Sequence, residues 1–201
     1  MAFISRGFKG RRRDQVSSSR VPPGQHVVTD FPVLSAGPTP RVALDHWTFS
    51  IDGEIDVPKR WTWQEFRELP AEPITADIHC VTKWSKLDTG WTGVSVDTLL
   101  DGVETAAEFT TVYSDGGYTT NLPLEELSGG KAWVVYEYAG QPLHPEHGGP
   151  VRLLVPHLYL WKSAKWVRGI TLQAEEHPGF WESNGYSMHG DPWREQRYWG
   201  D

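Results

Sequence analysis

Cysteine is nearly absent. The 201-residue chain has one, Cys80, so it can form no internal disulfide and no multi-cysteine zinc or iron–sulfur site. That economy fits a reducing compartment, and a cytoplasmic setting is expected. No stretch approaches the ~18 consecutive apolar residues of a membrane span, so no membrane association is expected. Gly-x-Gly-x-x-Gly and Walker patterns are missing, which leaves a nucleotide loop unsupported, and there is no His-Glu-x-x-His. No repeat with a period of about 20–50 residues is visible. Arg11-Arg12 is followed by Asp14-Gln15-Val16-Ser17-Ser18-Ser19, where a twin-arginine export signal needs an apolar stretch of ~7–15 residues.

What the chain has in quantity is tryptophan: 11 residues, whose rings need a core or a pocket. Charge is uneven. Residues 1–20 carry Arg6, Lys9, Arg11, Arg12, Arg13 and Arg20 against Asp14 alone, a balance of +5 that leaves −12 on the rest of a chain totalling −7. An acidic body argues against a nucleic-acid partner. The expected organisation is a basic, disordered arm over 1–24 and one domain over 25–201.

Trp47, Phe49 and Ile51 alternate with Thr48 and Ser50, a strand pattern ending in the turn signal Asp52-Gly53. Thr62-Trp63-Gln64-Glu65 reads as a capping box opening a short helix that stops before Pro70. A strand is expected over 74–80, with Cys80 at its end and a loop over 81–85. Ser95 caps a short helix over 96–100. Residues 109–113 and 118–122 read as a hairpin around Asp115-Gly116-Gly117, and 133–138, 151–155 and 166–172 as further strands. The class is α+β, rich in β, and the lack of regular strand–helix alternation excludes a doubly wound sheet.

Three places could carry chemistry. Cys80 is either a small core hydrophobe or, with Lys83 nearby to favour the thiolate, a nucleophile or soft-metal ligand. His144 and His147 sit in a turn-rich stretch, and a zinc site needs three or four well-placed ligands, so a surface role is the simpler one. His157, Lys162, Ser163 and Lys165 fall within nine residues between large apolar side chains. They are either a solvated loop or donors to a phosphate-bearing cofactor.

Taken together, these segments resemble the sulfite-oxidase-type family of molybdenum-cofactor oxidoreductases, in its short single-domain branch. The resemblance runs from about Arg20 to Asp201. It is carried by His79-Cys80-Val81-Thr82-Lys83-Trp84-Ser85, Trp91-Thr92-Gly93-Val94, Ser114-Asp115-Gly116-Gly117-Tyr118, His147-Gly148-Gly149-Pro150-Val151-Arg152, Trp161-Lys162-Ser163-Ala164-Lys165-Trp166 and Gly185-Tyr186-Ser187-Met188-His189-Gly190. It implies the sulfite-oxidase-type molybdopterin-binding fold. Molybdenum would be held by the dithiolene of one molybdopterin and by Cys80, with Tyr186 near its oxo group. His79, Thr82, His157, Lys162, Ser163 and Lys165 would bind the cofactor.

The departures bear on substrate. Sulfite oxidases have an arginine shortly after the ligating cysteine; here Ser85 and Lys86 stand there, and no arginine occurs between Arg67 and Arg152. Unless Arg152, Arg168 or Arg194 reaches the pocket, a small S-oxide or N-oxide is the expected substrate rather than sulfite, with an unidentified electron donor or acceptor. The segment over 31–38 lacks the family's usual Arg-Asn-His. Neither a haem domain nor an immunoglobulin-like dimerisation domain is expected, and no motif speaks to oligomeric state. The competing readings are a non-catalytic molybdopterin-binding protein and an interaction domain on the same fold.

Overall fold

The computed structural model describes residues 19–201. In chain order its strands are β1 (His26–Val27), β2 (Thr48–Gly53), β3 (Lys59–Thr62), β4 (Glu72–His79), β5 (Trp84–Ser95), β6 (Phe109–Ser114), β7 (Thr119–Pro123), β8 (Trp133–Tyr138), β9 (Gln141–Pro142), β10 (Arg152–Leu154) and β11 (Val167–Gln173). The helices are short: α1 (Trp63–Glu68), α2 (Val96–Leu100) and α3 (Phe180–Ser183). This is the expected β-rich α+β class. Among the described residues no helix is long and apolar enough to cross a membrane.

The strands form two sheets. One has the order β1-β5-β8-β10, with β4 also paired to β5 and β9 to β8; the other runs β3-β2-β11-β6-β7. Period-2 alternation distributes the apolar residues. On β8 and β10, Val134 and Leu153 enter the main core with Trp47, Phe49, Phe66 and Ile170. Their neighbours Val135 and Leu154 enter a second cluster with Ile78, Cys80, Trp84 and Trp91. The first sheet is therefore buried on both faces, and Cys80 belongs to the smaller cluster.

Local signals behave as chemistry demands. Thr62 Oγ1 accepts from the Glu65 N–H while Glu65 Oε2 accepts from the Thr62 N–H, closing the capping box of α1, whose Phe66 is buried. Ser95 Oγ accepts from the Thr98 N–H at 3.1 Å and caps α2.

Two expectations are corrected. The loop expected over 81–85 ends at Lys83, and Trp84–Ser95 is a 12-residue strand at the centre of its sheet. Its alternation is hidden because both faces are covered and because the ladder slips between Ala76 and Ile78 of β4 and between Thr92 and Gly93. Asp52-Gly53 does not make a two-residue hairpin, since the chain returns as β3 only at Lys59. Gly53 (φ 94°) is there because a Cβ would overlap the Leu172 carbonyl oxygen.

Much of the arm expected over 1–24 lies outside the described residues. Its last part is attached to the body: the Arg20 guanidinium donates to Asp77 and Asp88, and Pro23 O accepts from Arg197. The chain then runs beside β5 as β1 and crosses the Cys80 turn, where Gln25 Nε2 donates to Cys80 O at 3.0 Å.

Candidate active site

Cys80 directly follows β4 and is fixed by a tight turn. Its N–H donates to Trp84 O at 2.8 Å, its carbonyl accepts from the Lys83 N–H at 3.0 Å, and Lys83 takes the left-handed φ of 75° that closes the turn. Thr82 Oγ1 donates to Cys80 Sγ at 3.1 Å. Burial pushes the thiol up; the Thr82 hydroxyl and the charges of Arg152 and Arg197 act against it. Lys83 is exposed, and the cations that favour the thiolate, Arg152 and Arg197, come from distant parts of the chain.

The thiol faces a cavity of about 550 Å³. One wall is the irregular segment from Phe31 to Pro40. The others come from the Cys80 turn, the turn Asp115-Gly116-Gly117-Tyr118, His147, Arg152, the stretch from Leu160 to Trp166, and Phe180, Trp181 and Tyr186. The size suits a cofactor or a drug-sized ligand.

Its polar groups are unusual. Arg152, 2% exposed, donates to Ser163 O (2.8 Å), His147 O (3.1 Å) and Leu153 O (3.4 Å). Lys165 Nζ donates to Leu34 O and Glu146 O, both at 2.7 Å. Neither cation has a carboxylate within ion-pair distance among the described residues. Burial brings Arg152 down to about 10, and burial, then Arg152, bring Lys165 down to about 8. His147 is held below its ordinary value by burial and then by these two cations. Its ring stacks on Phe31 at 4.1 Å, and its buried Nδ1 has no hydrogen-bond partner. Asp115 Oδ2 is also buried without one, its nearest cation being Arg168 Nη1 at 3.6 Å. Buried cations without acids and polar atoms without partners are the marks of a site built for an anionic, hydrogen-bonding ligand.

The other side of the cavity is aromatic. Tyr118, Phe180, Trp181, Tyr186 and Trp161 form a continuous series of ring contacts at 4.8–5.9 Å. Burial, then Tyr198 and Cys80, push the Tyr186 phenol up, so it stays protonated and able to donate.

Of the residues singled out by sequence, Cys80, Thr82, Ser163, Lys165 and Tyr186 line the cavity. His79, His157 and Lys162 do not. His79 is the strand neighbour of Cys80 and so points to the opposite face, where Nδ1 meets Ser85 Oγ at 2.9 Å. His157 Nε2 is 2.6 Å from Glu126 Oε2. Lys162 is fully buried in an ion pair with Glu182. Arg152 does reach the cavity. Arg168 does not line it but pairs with Asp115, which does, and Arg194 lies on the surface beside Asp191. Sequence reasoning did not put Asp115, His147 or the aromatic series to use. A signal for Arg152 was available: an arginine inside Val151-Arg152-Leu153-Leu154-Val155, a strand with no polar face.

Fold and site thus define a β-rich domain closing on a cavity where one thiol meets a seat for an anionic cofactor. Comparison with known proteins gives that class its family. Residues 36–181 match the model described as oxidoreductase molybdopterin binding domain, and the chain belongs to that family. It is 44% identical over 197 residues to an uncharacterized oxidoreductase, YuiH, of Bacillus subtilis, covering 96% of this chain and all of that one. Two more distant relatives are each 28% identical. The catalytic subunit MsrP of a protein-methionine-sulfoxide reductase from Pseudomonas syringae covers 79% of this chain and the sulfite oxidase of Arabidopsis thaliana 76%. The chain spans about half the length of each. The crystal structure of the sulfane dehydrogenase SoxCD from Paracoccus pantotrophus superposes with a TM-score of 0.62 at 18% identity, over 69% of this chain and 41% of that one, which confirms the sulfite-oxidase-type fold. The protein is an oxidoreductase, and its cofactor is molybdopterin with molybdenum.

Proposed function

We propose that this chain reduces a small, neutral S-oxide or N-oxide by two-electron oxo transfer at a molybdenum ligated by Cys80. The observation that carries the reading is that one cavity joins the lone thiol to two cations with no ion-paired carboxylate among the described residues and to an aromatic wall. In balance, the oxide takes up two electrons and two protons and leaves as the sulfide or amine plus water. The electrons come from a donor that no residue here identifies.

The residues fit the cofactor. Arg152 has five N–H donors and spends three on carbonyls, leaving two for a phosphate. Lys165 spends two of three and has one left. Asp115, on the cavity wall, and His147, whose Nδ1 has no hydrogen-bond partner, would supply polar contacts to a pterin. When bound, the cofactor supplies the oxo-transfer chemistry and the electron reservoir. Thr82 donates to the ligating sulfur and moderates its charge. Tyr186, kept protonated, donates to the oxygen of the oxide and orients it.

The substrate follows from what the wall offers. Five aromatic rings suit an oxide with apolar substituents, whereas a sulfite anion needs a free bidentate cation. The two N–H groups that Arg152 leaves free of carbonyls are the ones given to the cofactor phosphate, so none is left over for sulfite. Because Arg152 nonetheless lines the cavity, sulfite oxidation is the second reading. With one thiol and no disulfide, the chain suits a reducing cytoplasm, where we place it.

The test is protein made in a host that synthesises the cofactor. Molybdenum content and the visible spectrum are measured first. Sulfite oxidation is then compared with reduction of small sulfoxides and N-oxides by a viologen donor. A kcat/KM for sulfite in the ordinary enzymatic range of about 10⁴–10⁸ M⁻¹s⁻¹, with negligible oxide reduction, would reverse the assignment.

A further inference from the structure

A buried ion pair behind the cavity does something that apolar side chains could not. Lys162 Nζ lies 2.7 Å from Glu182 Oε1, and both side chains are fully buried. Lys162 also donates to Asn121 O, Asn121 Oδ1 and Met188 O at 2.6–2.9 Å. Neither residue lines the cavity. Such pairs seldom add net stability, because desolvation offsets their attraction and well-packed apolar substitutes are often as stable or more so.

The geometry shows what the pair holds. Glu182 Oε1 accepts from Trp161 Nε1 at 2.8 Å and from Thr120 Oγ1 at 3.1 Å. Trp161 is a cavity residue. Its face stacks on Tyr159 at 5.3 Å, Tyr186 meets it edge-on at 5.2 Å, and Tyr118 Oη donates to its carbonyl at 2.6 Å. Gly190 (φ 82°) makes room for its six-membered ring, since a Cβ there would sit 2.8 Å from Cζ2. The one polar atom of this indole is thus tied back into the protein, away from the ligand, and an apolar ring is left on the wall beside Tyr186.

We propose that Glu182 and Lys162 are positioning residues: they hold Trp161, and through it Tyr186, as an apolar surface that selects oxides with an aryl or alkyl substituent. This rests on the reading of the site as an oxide reductase. Glu182 supplies the acceptor, and Lys162 keeps that acceptor charged and in place within a dry environment.

The test replaces the pair by apolar residues of similar volume, Lys162→Met with Glu182→Leu, in the cofactor-loaded protein. Molybdenum content should match wild type. The KM for methyl phenyl sulfoxide should rise about two- to tenfold, the worth of one aromatic contact, with kcat within about twofold. Glu182→Gln, which keeps an oxygen for the indole, should restore most of the KM. In protein labelled with 5-fluorotryptophan, the ¹⁹F line assigned to Trp161 by its loss in Trp161→Phe should shift and broaden in the double variant and return in Glu182→Gln. That signal does not depend on turnover, so it tests the tether even where oxide reduction fails. Should the double variant not fold, Trp161→Phe alone removes the tethered N–H and carries the same expectation for KM. An unchanged KM in the variant that folds, or an unmoved ¹⁹F line in the double variant, overturns the proposal.

Discussion

Arg152→Met separates the two things a buried arginine can be for. In the folded protein its guanidinium stands at about 10 against an ordinary 12.5, with burial the first cause. A base depressed in this way carries its penalty wherever it is charged in the folded state, so the cost is fully present at pH 7 and is relieved only above about 10. The gap corresponds to about 3 kcal/mol. Against it stand three hydrogen bonds to carbonyls, worth about 1 kcal/mol each. The two sides nearly cancel, so cofactor-free Arg152→Met should melt within about 5 °C of wild type. The loaded protein should respond very differently. Removing one partner of a buried charge pair costs about 2–5 kcal/mol, or about 30-fold to several thousand-fold in affinity. Molybdenum per chain, measured by mass spectrometry beside a melting curve of the cofactor-free form, reads both quantities. Wild-type molybdenum in the variant, or a cofactor-free melting point lowered by much more than the ledger allows, would refute the assignment of Arg152 to the cofactor.

Other expectations follow from the same geometry. Cys80→Ser should lose thiolate-to-metal absorption and nearly all turnover; wild-type activity with artificial donors would sink the ligand assignment. Lys165 is pulled down to about 8 by burial and Arg152, so its charge is present below that pH and lost above it. The affinity of cofactor-free protein for the cofactor should therefore fall about tenfold from pH 7 to pH 9. In Lys165→Met that decline should be absent, and a parallel decline in both would remove Lys165 from the phosphate site. Lys162→Ala leaves Glu182 buried and unpaired, which costs about 3–5 kcal/mol. It should lower the melting temperature of cofactor-free and loaded protein alike, whereas loss of cofactor at unchanged stability would return Lys162 to the phosphate site.

The parts of this molecule that were legible in its sequence are those whose cause is local. The caps of α1 and α2 need only Thr62 with Glu65 and Ser95 with Thr98, and the strand patterns leading up to Cys80 and starting at Trp47 need only alternation. β5 was hidden because a strand covered on both faces has no alternation to read, and because Lys86, Asp88 and Gly90 break its apolar run. His79 shows a local rule left unused: the residue beside a strand-end cysteine points the other way, so it and Cys80 cannot both face one ligand. Lys162 and Lys165 look alike in Trp161-Lys162-Ser163-Ala164-Lys165-Trp166. What distinguishes them is that Glu182, from a helix some twenty residues on, claims the first, and no acid among the described residues pairs with the second. The same holds for Arg152, whose meaning lies in a carboxylate partner that is missing among the described residues. A missing partner is a property of the whole fold, and no window of sequence contains it. Cofactor seats of this kind are therefore found by asking which buried charges a folded chain leaves uncompensated, and here that question leads to the cavity in front of Cys80.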